Sequence, residues 1–187
     1  MPTPAPPPRR ADARRNLEAL LEAAKHVLAT AGVDAPAKEI TDRAGVGVGT
    51  LYRHFPQRSD LVIAVLEHEI DACAEAGPTL AAAHPPGVAL AKWVQRYTEL
   101  VATKVGLASA LHAGDAAHQE LSAYFYRRMT PVLEALLQAA AGEVRSDVGA
   151  VDILHAVALL SRPVPGETAD YGRRLVDVFL RGLRKMS

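Results

Sequence analysis

Apolar residues recur at steps of three and four along nearly all of this chain, and almost nowhere at steps of two. Residues 12–30 carry Leu17, Leu20, Leu21, Ala24, Val27 and Leu28 at that spacing, the single stripe of an amphipathic helix. Gly32 follows as a stop. The same period returns over 60–75, 88–105, 115–141, 147–160 and 170–183, with two short pieces at 37–44 and 48–55 between the first helix and the rest. Prolines punctuate these segments. Five of the thirteen lie in the first eight residues, where they favour an extended arm over residues 1–10. Gly77-Pro78 is expected to end one helix, and Pro131 to bend another by displacing a backbone bond. The fold class is all-α, with about nine helices.

Composition narrows the function. Of 187 residues, 49% are apolar and 22% charged, which suits a chain that buries a core rather than a disordered one. Lysine and arginine balance aspartate and glutamate at 21 each, so a wholly basic nucleic-acid coat is excluded while a local basic patch is not. The single cysteine, Cys73, rules out an internal disulfide and reads as a small buried hydrophobe. No apolar run approaches the ~20 residues of a membrane span. The arm has no apolar stretch behind its arginines, unlike a secretory signal, so no membrane partner and a cytoplasmic location are expected.

The last two helical segments are apolar on more than one face. Val148, Val151, Ile153, Leu154, Val157, Leu159 and Leu160 exceed one stripe, as do Tyr171, Leu175, Val176, Val178, Phe179, Leu180 and Leu183. A helix apolar on two faces is either central or pressed against another subunit. Leu154, Val157, Leu160, Leu175, Phe179 and Leu183 are therefore the candidates for a homodimer interface; a buried central pair is the competing reading.

The stretch 37–56 carries the most specific signal. Ile40 and Ala44 lie four apart, as do Leu51 and Phe55, and Gly45 stands where the chain must reverse with positive φ. Two short helices about a glycine-centred turn form a helix-turn-helix. The second exposes Val48, Gly49, Thr50, Tyr52, Arg53 and His54, with no acidic residue among them. Residues 1–58 hold nine basic and six acidic side chains, and the remainder twelve and fifteen. A basic head on an acidic body would orient on a duplex.

The string Ile40-x3-Ala44-Gly45-Val46-x-x-Gly49-Thr50-Leu51-Tyr52-x-His54-Phe55-x3-Ser59-x-Leu61, preceded by the first helix and Gly32, resembles the N-terminal domain of TetR family transcriptional regulators over residues 14–66. The resemblance implies a three-helix DNA-binding head over 11–59, and a helical body over 60–187 that binds an effector and dimerises. It also implies roles. Tyr52 and His54 would contact phosphate, with Lys38 also on the DNA side; Arg58, where the family usually has lysine, would be a further phosphate anchor. Val48, Gly49, Thr50 and Arg53 would meet base edges. The chain departs from the family twice. Asp34-Ala-Pro-Ala37 replaces the usual Thr or Ser cap and is one residue shorter, and Gly47 replaces a second hydroxyl. Arg9, Arg10, Arg14 and Arg15 are candidates to compensate by reaching DNA from the arm.

In the body, Trp93, Tyr97, Tyr124, Phe125 and Met129 are candidates to line an effector cavity, with His68, His112 and His155 as polar groups; an aromatic stripe at helical spacing is more often plain core. His112, Asp115 and His118 are the right residue types for a metal, but their spacing does not share one helical face. No metal or other cofactor is expected. There is no Gly-x-Ser-x-Gly elbow, phosphate loop, dinucleotide fingerprint or His-Glu-x-x-His, so no enzyme is expected. These features point to a homodimeric repressor that binds a palindromic operator in double-stranded DNA and is released by an unidentified small molecule. The alternative is a helical ligand-binding or protein-interaction module that no longer binds DNA.

Overall fold

The computed structural model describes residues 8–107, 116–145, 147–168 and 170–185. They form eight helices: α1 (Pro8–Ala31), α2 (Ala37–Ala44), α3 (Val48–His54), α4 (Arg58–Ala83), α5 (Pro86–Leu107), α6 (Ala116–Ala139), α7 (Ala150–Leu160) and α8 (Tyr171–Gly182). Among the described residues the only extended pairing is an isolated antiparallel bridge between Val144 and Arg184. The short segment expected between α5 and α6, with His112 and Asp115, lies outside the described residues, as do residues 1–7.

Two helix boundaries differ from the sequence reading. The proline-rich arm is shorter than expected, because α1 is already helical at Pro8; proline suits a helix's first turn, where its missing N–H has no partner to lose. Helix α4 runs through Gly77-Pro78 to Ala83 instead of ending there. Pro78 removes a single i→i−4 bond, and close packing on that turn holds the helix: a Cβ at Gly77 would collide with Val132 Cγ1 and approach Trp93 Nε1 to 3.5 Å. Helix α6 continues through Pro131, as the sequence spacing implied.

The chain divides into two compact units; the first runs to Leu66, inside α4, and also takes the end of α5 from Gly106. The first contains α1, α2, α3 and the start of α4. Its buried side chains include Leu20, Val27, Leu28, Ile40, Leu51, Phe55, Leu61 and Val65. In the second, Trp93 is fully buried and donates from Nε1 to the Cys73 carbonyl at 2.9 Å. Trp93 and Tyr97 stack with centroids 6.1 Å apart, and Phe125 tilts against Tyr97 at 5.8 Å. The turn after α6 is tied to the end of α8 by Arg145 N–H to Leu183 O at 2.8 Å and Lys185 N–H to Glu143 O at 2.9 Å.

Candidate nucleic-acid interface

Helix α2 places its two buried residues, Ile40 and Thr41, inward. It ends on Gly45 with φ 68° and ψ 29°, so the reversal uses the left-handed region that glycine enters without a Cβ clash. Val46 N–H then returns to Thr41 O at 3.1 Å. The chain re-enters a helix at Gly47, whose extended φ of −77° and ψ of 149° start α3, with Thr50 N–H on Gly47 O at 2.8 Å. The spacing of Leu51 and Phe55 does what the sequence suggested: they are 3% and 8% exposed and fix the rotation of α3 about its axis.

That rotation turns the remaining face outward. Tyr52 is 54% exposed, Val48 38%, and Gly49, Arg53 and His54 are exposed as well, while Thr50 is half-buried. Among the described residues Arg53 enters no salt bridge, and the His54 ring sits 6.1 Å from the Phe55 ring at the end of α3. The exposed surface of α3 therefore presents a phenol, a guanidinium and an imidazole side by side, with no carboxylate among them. Lys38 is exposed on α2 but paired to Asp42 at 2.6 Å.

Arg58, for which the resemblance implied a phosphate contact, bonds to the backbone within the head. Half-buried at the first turn of α4, it donates from Nε to the Val33 carbonyl at 2.6 Å and from Nη2 to the Ala35 carbonyl at 2.7 Å. The start of α4 is capped in addition by Asp60, whose Oδ2 accepts from Gln57 N–H at 2.9 Å.

Four of the residues expected to line an effector cavity belong to one run of ring contacts, Trp93 on Tyr97, Tyr97 on Phe125, and Phe125 through Tyr126 to His155. Trp93, Tyr97 and Met129 are buried, and the polar atoms of Trp93 and Tyr97 are already bonded to the carbonyls of Cys73 and Leu154. Phe125 is half-buried. Tyr124, also half-buried, donates its hydroxyl to Asp71 Oδ1 at 2.7 Å, an oxygen that also accepts from Arg128 Nε at 2.6 Å. Burial, helped by that carboxylate, pushes the Tyr124 phenol up to about 12. His155 is exposed, with Nε2 2.7 Å from the Tyr126 hydroxyl. His68 is half-buried on α4. A hollow of about 1080 Å³ in the second unit is instead walled by Val88, Ala91, Glu143, Asp177, Arg181 and Arg184, among others, and by none of the residues expected from sequence. Charged residues brought together by the α6–α7 turn and α8 carry no periodic signature in the sequence.

The expected dimer residues also separate. Leu154 and Val157 on α7, and Leu183 just past α8, are buried within this one chain and have no surface to offer a partner. Leu160, Leu175 and Phe179 are half-buried. The exposed apolar side chains of the two helices are Val151 at 43%, Leu159 at 60% and Val178 at 57%. The excess over one stripe was visible in the sequence, but which face turns inward is set by packing that spacing does not encode.

A trihelical head carrying a glycine-turned helix pair with a cationic outer face, joined by one unbroken helix to an all-helical second unit, defines the class of helix-turn-helix regulators. Residues 20–65 match the tetR family of bacterial regulatory proteins, and residues 85–185 match the C-terminal domain of SbtR-like transcriptional regulators. The chain belongs to the TetR family of transcriptional regulators. It is similar to a TetR transcriptional regulator from Streptomyces coelicolor, with 36% identity, a TM-score of 0.74, and 91% of this chain and 99% of that one covered. A TetR regulatory protein from Mycobacterium vanbaalenii is 36% identical with a TM-score of 0.73, over 95% of this chain and all of that one. LfrR from Mycobacterium smegmatis, solved in complex with proflavine, is 25% identical with a TM-score of 0.62, over 90% and 94% of the two chains. An HTH-type transcriptional regulator of Staphylococcus aureus is 36% identical over 63 residues, so the match spans about a third of that relative's length and a third of this chain. Among the described residues, no helix is long and apolar enough to cross a membrane.

Proposed function

We propose that this protein is a ligand-released repressor that binds a palindromic operator as a homodimer in the cytoplasm and carries out no catalysis. The observation that carries the reading is the outward set on α3, Tyr52, Arg53 and His54, held by the buried pair Leu51 and Phe55. A short helix so oriented enters the major groove, with hydroxyl and imidazole groups on phosphate and Val48, Gly49, Thr50 and Arg53 toward base edges.

Two such helices must reach successive major-groove faces about 34–36 Å apart, or a multiple of that turn. The exposed Val151, Leu159 and Val178, with the half-buried Leu160, Leu175 and Phe179, supply the apolar surface through which α7 and α8 pair with a second copy. Release then follows if a small molecule binds the second unit more tightly in a dimer whose α3 helices have the wrong separation; the shift cannot exceed that differential affinity. The proflavine complex of LfrR supports a helical body of this fold taking up a small organic molecule. Helix α4, continuous from one unit into the other, is the element that carries the change.

The test is binding to a palindromic duplex as salt is varied. A DNA reader loses affinity linearly in log–log coordinates, by about 0.9 per phosphate neutralised. A module that no longer binds DNA would show no saturable, salt-dependent binding to any duplex.

A further inference from the structure

We infer that Arg58 is a positioning residue that pins the turn leading into α2 and so sets where α3 lies, and that it is not a phosphate anchor; the inference rests on the DNA-reading function proposed above. Helix α2 begins without a side-chain capping bond, on Pro36 with φ −58° and ψ 136°. The turn before it is held by its own backbone only through Ala35 N–H on Gly32 O at 3.2 Å, and Gly32 itself sits at φ 84°. That leaves the carbonyls of Val33 and Ala35 facing the start of α4, where Arg58 takes both with one planar fork, at 2.6 and 2.7 Å. Ala35 is buried and directly precedes the Pro36 cap, so the bond to its carbonyl fixes the peptide from which α2 departs.

The reach of this contact explains its importance. Helix α3 has seven residues, too few to be stable alone, so its placement derives from the elements on either side. Those elements are α2, which packs on both α1 and α3, and α4, which follows after Phe55-Pro56-Gln57. Arg58 ties the entrance of α2 to the entrance of α4, across the 25 and 23 positions that separate it from its acceptors, and closes the loop that contains α3. A guanidinium already on two carbonyls has three N–H groups left, but its orientation is set by the protein and not by a duplex. Lysine lacks the fork geometry and holds its charge on a flexible stem, so it does not reproduce the clamp.

The experiment compares wild type, Arg58→Lys and Arg58→Ala on two duplexes: one selected by the wild-type protein from a pool with a randomised centre, and a scrambled duplex of equal composition. A positioning role predicts that both variants lose about tenfold on the selected duplex, while binding to the scrambled duplex and its salt slope stay as in wild type. Amide exchange over residues 37–40 should also quicken in both. Loss of folded protein alone would lower both duplexes together and leave their ratio intact, which would overturn the inference. So would an Arg58→Lys variant equal to wild type, or a slope that falls by about 0.9 in Arg58→Ala, the signature of one lost phosphate contact. A wild-type protein that bound neither duplex would instead overturn the DNA-reading function, and this inference with it.

Discussion

The Tyr97 hydroxyl donates to the Leu154 carbonyl at 3.0 Å inside the second unit, joining α5 to α7. From side-chain type alone the first residue belonged to an effector cavity and the second to a dimer interface. Their meeting makes both part of one core. Leu154→Ala should therefore cost about 2–5 kcal/mol of stability, as a large-to-small change at a fully buried site does. By contrast Leu159→Lys and Val178→Glu should leave thermal stability of the monomer unit nearly unchanged and convert a micromolar dimer to a 19.9 kDa monomer by light scattering. Dimers that persist in both surface variants would place the interface elsewhere.

On α3, Tyr52→Phe and His54→Ala should weaken binding to selected and random duplexes by similar factors, because a phosphate contact carries no sequence information. Arg53→Ala and Thr50→Ala should change base preference, at about 1–3 kcal/mol per disrupted base contact. Competition binding against a panel of single-position operator variants separates the two outcomes. Equal effects from all four substitutions would contradict the division.

The two glycines of the turn should respond in opposite directions. Gly45→Ala forces a Cβ into the left-handed region at φ 68° and should destabilise the head by about 1–2 kcal/mol. Gly47→Ser adds a capping hydroxyl at an extended N-cap, where a Cβ meets nothing within 4 Å, and should stabilise by a few tenths of a kcal/mol. Thermal melts of the two single variants give both signs.

The second unit should lose stability at alkaline pH. Burial, the largest cause, pushes the Cys73 thiol up to about 12, against a smaller opposing effect of Arg96, and raises the Tyr97 and Tyr124 phenols as well. A group whose folded pKa lies above its unfolded one binds more protons when folded, so its contribution is complete below the unfolded pKa and is lost as pH rises through the folded value. The melting temperature should fall progressively from about pH 9 toward 12. For the same reason Cys73, which is fully buried, should resist a thiol-alkylating reagent at pH 8 in the native protein and react once denatured.

Much of the head was legible because its signals are local. The four-residue spacing of Ile40 with Ala44 and of Leu51 with Phe55, with Gly45 between them, put both short helices within a residue of where they stand. The spacing also gave the outward set on α3, since two buried residues four apart determine the rotation of so short a helix. Arg58 was not legible in this way. Its partners are backbone carbonyls more than twenty residues away, and a carbonyl leaves no trace in a sequence. The second unit resisted for a related reason. Helices α7 and α8 have apolar residues on several sides, so their inward faces depend on what they pack against. Gly77-Pro78 read as a stop because the sequence shows the lost backbone bond and not the neighbours that hold the turn in place.

Those neighbours set a mechanical condition. At position 77 a hydrogen lets the backbone of α4 lie against a methyl group of Val132 on α6, where an added Cβ would force one of the two to shift. A molecule wedged between these helices has to prise them open at some other level, with position 77 as the fulcrum.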